Sequence, residues 1–366
     1  MLVQHKKFLC DRLNFNRLTG KEDDNRMNPK KFTILGESGS GKTCYLLGMY
    51  MSMNMDLESI GYTIVAQDAQ IKKTLTTNYN RLEDDTSGQG RFPDTTDQVQ
   101  KYNFDLQYSF ETILPFEWID YPGQYLDPTL VDVTDAKYKE VEQSIRESST
   151  LFICIDGENL VEGNINAKIK RVKRKCVARI NPYLGELKEK LKLENKKLPP
   201  ICIIVTKYDL CSDCLSNDEL RTIIEESFKP LFLSDDTFVV VIPVSLGENI
   251  KDDNYKGELD PVNVHLPILF GITCALNEVI DDCNVSAVLK AVSKNIMEQN
   301  KSDEEDRCFF KRDKGKIRIL DSAISSTEQE IKELLKIANI AKQNQNTVNK
   351  ELEAINMRFY NGRWTL

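Results

Sequence analysis

The sequence predicts an α/β fold, in which a mostly parallel six-stranded sheet carries helices on both faces and has one antiparallel edge strand. Two observations lead to this prediction. Short apolar segments alternate with amphipathic stretches along most of the chain, which is the pattern of strands joined by crossover helices. One connection is too short for a crossover, so the two strands that it joins must be antiparallel. The predicted strands cover residues 31–36, 102–110, 112–120, 150–156, 201–206 and 237–243.

The antiparallel edge is predicted from residues 102–110, where apolar and polar side chains alternate with a period of two. This alternation is typical of a half-exposed strand. The next strand follows at once and leaves room only for a tight hairpin. The preceding segment, residues 68–98, is polar and is interrupted by Gly88, Gly90 and Pro93, so we expect a long mobile loop there.

A glycine-rich segment, Gly36-Glu-Ser-Gly-Ser-Gly-Lys-Thr43, lies between the first predicted strand and a helical pattern. It has the complete spacing G-x-x-x-x-G-K-[ST] of a phosphate loop, in the strand, loop and helix context that this motif requires. Its glycines let backbone N–H groups point at a polyphosphate, and the helix dipole adds positive potential. Lys42 would supply a charge for the outer phosphates, and Thr43 a hydroxyl for Mg²⁺. The predicted phosphate-contacting residues are Gly36, Ser38, Gly39, Ser40, Gly41, Lys42, Thr43 and Cys44.

Polar residues also follow the strand that ends at Asp120, in the segment Asp120-Tyr-Pro-Gly-Gln124. A carboxylate at this end of the sheet can hold Mg²⁺ through water. Gly123 offers a backbone N–H that no side chain shields from a terminal phosphate. Gln124 is placed to orient an attacking water. We therefore predict Lys42, Gly123 and Gln124 as the residues that act on the terminal phosphate.

Base recognition is predicted from the segment Thr206-Lys-Tyr-Asp209, which follows a strongly apolar strand. A carboxylate there can accept hydrogen bonds from the N1–H and the exocyclic amine of guanine, a pairing that adenine cannot make. The Lys207 stem can pack on the base plane. Ser245, after the last predicted strand, can line the base pocket. The predicted ligand is therefore GTP or GDP with Mg²⁺.

In this order the four motifs resemble those of Ras-like small GTPases of the translation-factor-related class. The resemblance covers residues 31 to about 279. Within this class, the chain is similar to divergent bacterial, double-GTPase-like members. It implies the strand order 2-3-1-4-5-6 and a Mg²⁺-dependent switch that hydrolyses GTP. It assigns Lys42 to the β- and γ-phosphates and Asp209 to guanine. It assigns Mg²⁺ to Thr43, Asp120 and a threonine of the first switch loop.

The chain departs from the family pattern in three ways. Thr206 stands where asparagine is commoner. The first switch offers both Thr95 and Thr96, of which we favour Thr96, and residues 82–90 look like an insertion. The sequence assigns no catalytic arginine, although Arg91 is a candidate by its proximity to the switch.

The predicted domains are an N-terminal extension (1–27), a nucleotide domain (28–280), a charged linker (281–315) and a heptad helix (316–360). The heptad pattern allows a parallel dimer, an antiparallel hairpin with another helix, or a strap along the nucleotide domain. We expect its apolar positions to need a partner surface. These positions are Ile317, Leu320, Ile324, Thr327, Ile331, Leu334, Ala338, Ala341, Gln345, Val348, Leu352, Ile355 and Phe359.

The composition limits which ligands and which cellular compartment we expect for the protein. The net charge of −8 argues against a nucleic-acid ligand, although residues 168–175 form a basic run that we interpret as a solvated face. The 10 cysteines are scattered, several of them in apolar strands, as is typical of reduced thiols. The chain shows no signal peptide and no membrane-spanning segment, so we expect a cytoplasmic protein.

Three functions remain open at this point. The first is a GTPase switch that signals through loops around Thr96 and Gly123 to an effector, a GTPase-activating protein or a second GTPase. The second is a nucleotide-dependent assembly protein with little turnover, which oligomerises through residues 316–360. The third is a phosphate-loop ATPase or nucleoside kinase, which Asp209 argues against.

Overall fold

The computed structural model describes residues 28–55, 61–84, 90–94, 97–108, 110–127, 130, 132, 134–194, 196–233, 236–248, 250, 258–307 and 312–365. Two compact units make up the chain. The first comprises Met1–Gly271 with Glu353–Leu366, and the second comprises Ile272–Leu352. The N-terminal extension predicted at 1–27 lies outside the described residues, as does Thr96. Among the described residues, every helix is too short or too polar to span a bilayer.

The strands are β1 (Lys30–Leu35), β2 (Tyr62–Ala66), β3 (Gln100–Tyr108), β4 (Glu111–Asp120), β5 (Thr150–Asp156), β6 (Ile201–Thr206), β7 (Val239–Pro243), β8 (Arg358–Tyr360) and β9 (Arg363–Thr365). The helices are α1 (Lys42–Asn54), α2 (Ala69–Glu83), α3 (Ala136–Glu147), α4 (Ile165–Val172), α5 (Ala178–Leu193), α6 (Asn217–Ser227), α7 (Lys229–Phe232), α8 (His265–Glu305) and α9 (Lys314–Glu351). A π-helical segment, Lys173–Val177, joins α4 to α5.

The first unit is built on one mixed sheet, which has nine strands within the described residues, in the order β2-β3-β4-β1-β5-β6-β7-β8-β9. The six predicted strands are present in the expected order 2-3-1-4-5-6. The prediction of six strands was nevertheless wrong, because β2, β8 and β9 extend the sheet at both edges. The prediction of a mostly parallel sheet was also wrong. Four strand pairs in the centre are parallel, and the four pairs toward the two edges are antiparallel.

Helices cover both faces of the sheet, as predicted. Along β1, Phe32 and Ile34 are buried among aromatic side chains on the face that α1 covers, where Phe32 lies 5.2 Å from Phe116 between ring centroids. Leu35 points to the other face and joins a cluster with apolar residues of α3, α5 and α6, including Val141, Leu187 and Ile223. The alternation of side chains along β1 therefore builds a core on each side.

The segment predicted as a long mobile loop, 68–98, instead contains helix α2, which follows β2 in the chain. Asp68 caps this helix by accepting hydrogen bonds from the N–H groups of Gln70 and Ile71. Leu75, Tyr79 and Leu82 are spaced by four and three residues and form its buried stripe. The remaining surface of the helix is polar, and that polarity concealed the stripe in the sequence.

The second unit contains an antiparallel pair of helices formed by α8 and α9. Lys294 pairs with Glu328 at 2.6 Å, and Lys301 pairs with Asp321 at 2.6 Å. Lys290 also pairs with Glu330. The sum of paired residue numbers is nearly constant, which is the signature of antiparallel alignment. Of the three arrangements that the heptads allowed, the hairpin with another helix of the same chain is the one in this unit.

The boundaries predicted for the C-terminal region differ from the structure. Residues 281–305 belong to helix α8, where a charged linker was predicted. Helix α9 ends at Glu351, and the predicted heptad residue Phe359 lies in strand β8. Asn361 and Gly362 both have positive φ and form the two-residue turn between β8 and β9. This turn converts the end of the predicted helix into a hairpin at the sheet edge.

Candidate functional site

A cavity of about 490 Å³ opens at the carboxyl ends of strands β1, β4, β6 and β7 in the first unit. This is the edge at which an α/β sheet binds ligands. Most of the predicted site residues line it: Ser38, Gly39, Ser40, Gly41, Lys42, Thr43, Cys44, Gly123, Thr206, Lys207, Asp209 and Ser245. Gly36, Asp120 and Gln124 are not among its lining residues.

The phosphate loop forms one wall of the cavity. Gly39 and Gly41 have φ of +79° and +83°, which glycine adopts without strain. Helix α1 begins at Lys42, directly after Gly41, so its N-terminal dipole faces the loop. The Lys42 ammonium donates to the carbonyl oxygens of Gly36 at 3.0 Å and Glu37 at 3.1 Å. The lysine charge is therefore held inside the curve of the loop.

Asp120 lies at the end of β4 and is 1% exposed. Burial raises the pKa of its carboxyl to about 6, while the charge of Lys42 and a hydrogen bond from Thr43 act in the opposite direction. Its Oδ1 atom is buried and has no hydrogen-bond partner among the described residues. A buried carboxylate oxygen without a partner, next to a threonine hydroxyl and a phosphate loop, fits a hydrated Mg²⁺ ion.

Gly123 packs against the phosphate loop. A Cβ atom on Gly123 would lie 2.2 Å from the backbone nitrogen of Ser38, so only glycine fits there. The neighbouring Gln124 is exposed, and its Nε2 donates to the carbonyl oxygen of Asp97 at 3.1 Å. Gln124 therefore faces the backbone of Asp97, and not the cavity.

The other end of the cavity carries Asp209 and Ser245. The Ser245 hydroxyl donates to Asp209 Oδ1 at 2.7 Å and accepts from the N–H of Gly247 at 3.0 Å. These bonds fix the orientation of the Asp209 carboxylate. Lys207 has φ of +51°, and its ammonium donates to the carbonyl oxygen of Gly39 at 3.1 Å.

Thr206 connects the two ends of the cavity. Its hydroxyl lies 2.7 Å from the carbonyl oxygen of Ser40 and 3.1 Å from that of Ile155. A Cβ atom on Gly41 would lie 3.3 Å from the Thr206 side chain. Thr206 thus ties the end of β6 to the phosphate loop.

Several residues of the site carry no motif in the sequence. Phe92, Pro93 and Asp94 line the cavity beside Ile250, and Arg91 donates to the carbonyl oxygen of Ile250 at 3.2 Å. No motif marks them, because chain segments far apart in the sequence meet here. The remaining lining residues are Tyr45, Pro122, Leu210, Val244, Leu246 and Val264.

Glu37, a variable position of the phosphate loop, was also missed. Its carboxylate accepts from Asn159 Nδ2 at 3.1 Å and lies 3.8 Å from the Lys175 ammonium. Lys175 belongs to the basic run and to the π-helical segment between α4 and α5. One member of that run thus contacts the phosphate loop and does not face solvent alone.

Comparisons with known proteins give limited matches. No family model matches the chain, and no curated protein matches it. Among solved structures it is similar to translation elongation factor SelB from Methanococcus maripaludis in complex with the GTP analogue GppNHp, at 13% identity and a TM-score of 0.28, over 61% of this chain and 31% of that one. It is also similar to the GTP-bound GTPase-like domain of S. cerevisiae Ski7, at 14% identity and a TM-score of 0.33, over 61% and 45% of the two chains. The match thus spans less than half the length of either structure.

Proposed function

We propose that this protein binds GTP and GDP with Mg²⁺ and hydrolyses GTP as a molecular switch. The observation that carries the proposal is a single cavity with a phosphate loop at one end and an oriented Asp209 carboxylate at the other. A nucleotide has two matching ends, with phosphates at one end and a base at the other. The cavity volume of about 490 Å³ is within the range of small-molecule sites.

Guanine is the base that suits Asp209. The carboxylate presents acceptors only, and guanine offers two adjacent donors, the N1–H and the exocyclic amine. Adenine offers an acceptor at N1, so two hydrogen-bond acceptors would face each other there, with no proton between them. Phe92 and the Lys207 stem lie among the lining residues that can cover the base faces.

Hydrolysis would depend on the groups at the phosphate end. A bound Mg²⁺ ion, held by Thr43 and Asp120 with Thr96 as the predicted switch ligand, would neutralise charge on the phosphates. Lys42 would bind the β- and γ-phosphates once it leaves the loop carbonyls. Gly123 would donate its N–H to the γ-phosphate. Gln124 must turn from Asp97 before it can orient water, so we expect slow turnover by the protein alone.

The proposed partner is a protein that reads the loops around Thr96 and Gly123, either an effector or a GTPase-activating protein, with a second GTPase as the alternative. Arg91 donates to Ile250 beside the cavity, so it is not aimed at the phosphate loop in this state. An arginine supplied by the partner would then provide the acceleration.

The test is direct titration of fluorescent GDP, GTP and ATP analogues, with Mg²⁺, into the wild type and Asp209→Ala. We expect guanine nucleotides to bind with micromolar or tighter Kd, and Asp209→Ala to weaken them by about 100-fold because charged hydrogen bonds to the base are lost. ATP binding should be weak and insensitive to the substitution. Equal binding of ATP and GTP by the wild type would overturn the proposal in favour of an ATPase.

A further inference from the structure

Lys207 occupies a backbone conformation that its residue type avoids. Its φ of +51° lies in the left-handed region, which costs a side chain other than glycine or asparagine on the order of 1 kcal/mol. Such a conformation persists only where the surroundings hold it. The groups that hold Lys207 therefore bear on the base end of the cavity, because Asp209 is only two residues further along the chain.

The Lys207 ammonium is held by three oxygens. It lies 2.8 Å from Asp156 Oδ2, 3.1 Å from the carbonyl oxygen of Gly39 and 3.3 Å from Glu158 Oε1. The two carboxylates differ in exposure: the Asp156 side chain is 12% exposed and the Glu158 side chain 44%. Since solvent screens an exposed ion pair, Asp156 makes the stronger of the two contacts.

Asp156 is itself rigidly placed. It is the last residue of β5 and pairs in register with Thr206 of β6. Its second carboxylate oxygen, Oδ1, accepts from the N–H of Glu158 at 3.0 Å. The next residue, Gly157, packs so closely that an added Cβ would lie 2.5 Å from the carbonyl oxygen of Thr206. The end of β5 is thus pressed against the backbone that leads into Lys207.

We propose that Asp156 is a positioning residue for base recognition, which holds Lys207 in place so that Lys207 and Asp209 frame the guanine together. Asp156 does not line the cavity, so it acts through Lys207. This inference rests on the proposed function and names a determinant of base affinity that lies on a different strand from the base-reading motif.

The physical reason is that the Lys207 ammonium would lose its less exposed carboxylate partner. Without the Asp156 carboxylate, the ammonium would keep only a carbonyl and an exposed carboxylate as acceptors, and its long side chain would regain rotamer freedom. The left-handed backbone at Lys207 would lose its main support. The base would then bind to a segment that must be ordered at the moment of binding, which lowers affinity.

The experiment measures the Kd of GDP and of inorganic pyrophosphate, both with Mg²⁺, by calorimetry on the full chain. Asp156→Asn preserves shape and removes the charge, and Glu158→Gln is the matched control on the exposed carboxylate. We expect Asp156→Asn to weaken GDP by about 10- to 100-fold, and Glu158→Gln by less than about threefold. Pyrophosphate should bind equally well to both variants, since it does not reach the base end.

A double-mutant cycle separates positioning from a general structural role. Lys207→Met keeps the alkyl stem and removes the ammonium, and we expect the same loss of GDP affinity as for Asp156→Asn. In the Lys207→Met background, Asp156→Asn should then have no further effect. If Asp156→Asn does not fold, the loss in Lys207→Met alone tests the pair, and unchanged GDP affinity there would overturn the inference.

Two negative results are distinguishable. If the wild type binds pyrophosphate but no GDP-specific gain is measured, the proposed function fails. If the wild type prefers GDP and Asp156→Asn binds it equally well, the proposed function stands and the positioning role is wrong. Additive losses in the double mutant would also overturn the positioning role.

Discussion

The two ends of the cavity differ in how their polar groups are satisfied. At the base end, the Asp209 carboxylate is bonded to Ser245, and the Lys207 ammonium is bonded to Asp156 and Gly39. At the phosphate end, Asp120 Oδ1 and the buried Ser40 hydroxyl have no hydrogen-bond partner among the described residues.

The side chains predicted to act on the phosphates also make contacts with other protein groups. Lys42 donates to carbonyl oxygens of its own loop, and Gln124 donates to Asp97. The base end is therefore preorganised, whereas the phosphate end would have to exchange its contacts to bind phosphates. This difference suits the proposed switch, in which the base would select the nucleotide and the phosphates would drive the rearrangement.

The largest expected effect comes from removing the charge of the phosphate end. Lys42→Ala should lower the affinity for GDP, ADP and pyrophosphate alike, by at least about 100-fold, because each loses a charge-assisted contact to phosphate. Calorimetric titration of the three ligands measures it. Asp209→Ala is the matched variant at the base end, and it should lower only the affinity for GDP. If both variants changed the three ligands equally, the two ends would not be independent.

A second prediction concerns the stability that the protein loses by burying the charged carboxylate of Asp120. Burial raises the pKa of Asp120 to about 6, above its unfolded value, so its protonated form is favoured in the folded protein. The protonated Asp120 carboxyl contributes fully to the free energy of unfolding below about pH 4, and this contribution is lost as the pH rises through 6. Asp120→Asn should therefore raise the free energy of unfolding of the ligand-free protein by roughly 1–3 kcal/mol at pH 7.5, and the gain should vanish toward pH 4.

Denaturant unfolding at several pH values checks this expectation. The matched control is Asp209→Asn, which removes a carboxylate that already has a partner in Ser245. It should not stabilise the protein at any pH. A loss of stability in Asp120→Asn at pH 7.5 would show that the carboxylate is satisfied without a cation and that the two ends are alike.

The motifs of this site were readable because they are local. The phosphate loop and the segments at Asp120 and Asp209 each join a strand to the residues that follow it, and parallel strands bring their carboxyl ends to one edge. Twelve lining residues of the cavity are therefore predictable from the sequence. The contact of Gln124 with Asp97 and that of Asp156 with Lys207 are not predictable, because they join segments that are distant in the chain.

The missed elements show a different limit. Helix α2 has a narrow apolar stripe on a polar background, and strands β8 and β9 have three residues each. The Asn361-Gly362 dipeptide is a strong hairpin signal, and it was available in the sequence. The heptad pattern obscured it, because Phe359 fits that spacing as well as it fits a strand that packs on Phe232 at 4.9 Å between ring centroids.

The smallest expected effect tests whether the phosphate end is inactive at rest. Gln124→Ala should lower the rate constant of GTP cleavage by about tenfold and leave the Kd of GTP unchanged, because Gln124 contacts Asp97 and not the cavity before it turns. Single-turnover hydrolysis of GTP by the full chain measures the rate constant of the chemical step apart from product release. Gln70→Ala, at an exposed position on α2, is the matched control and should change neither quantity. A loss of GTP affinity in Gln124→Ala would mean that this side chain already serves the phosphates at rest, and the contrast between a prepared base end and an unprepared phosphate end would then be wrong at its most specific point.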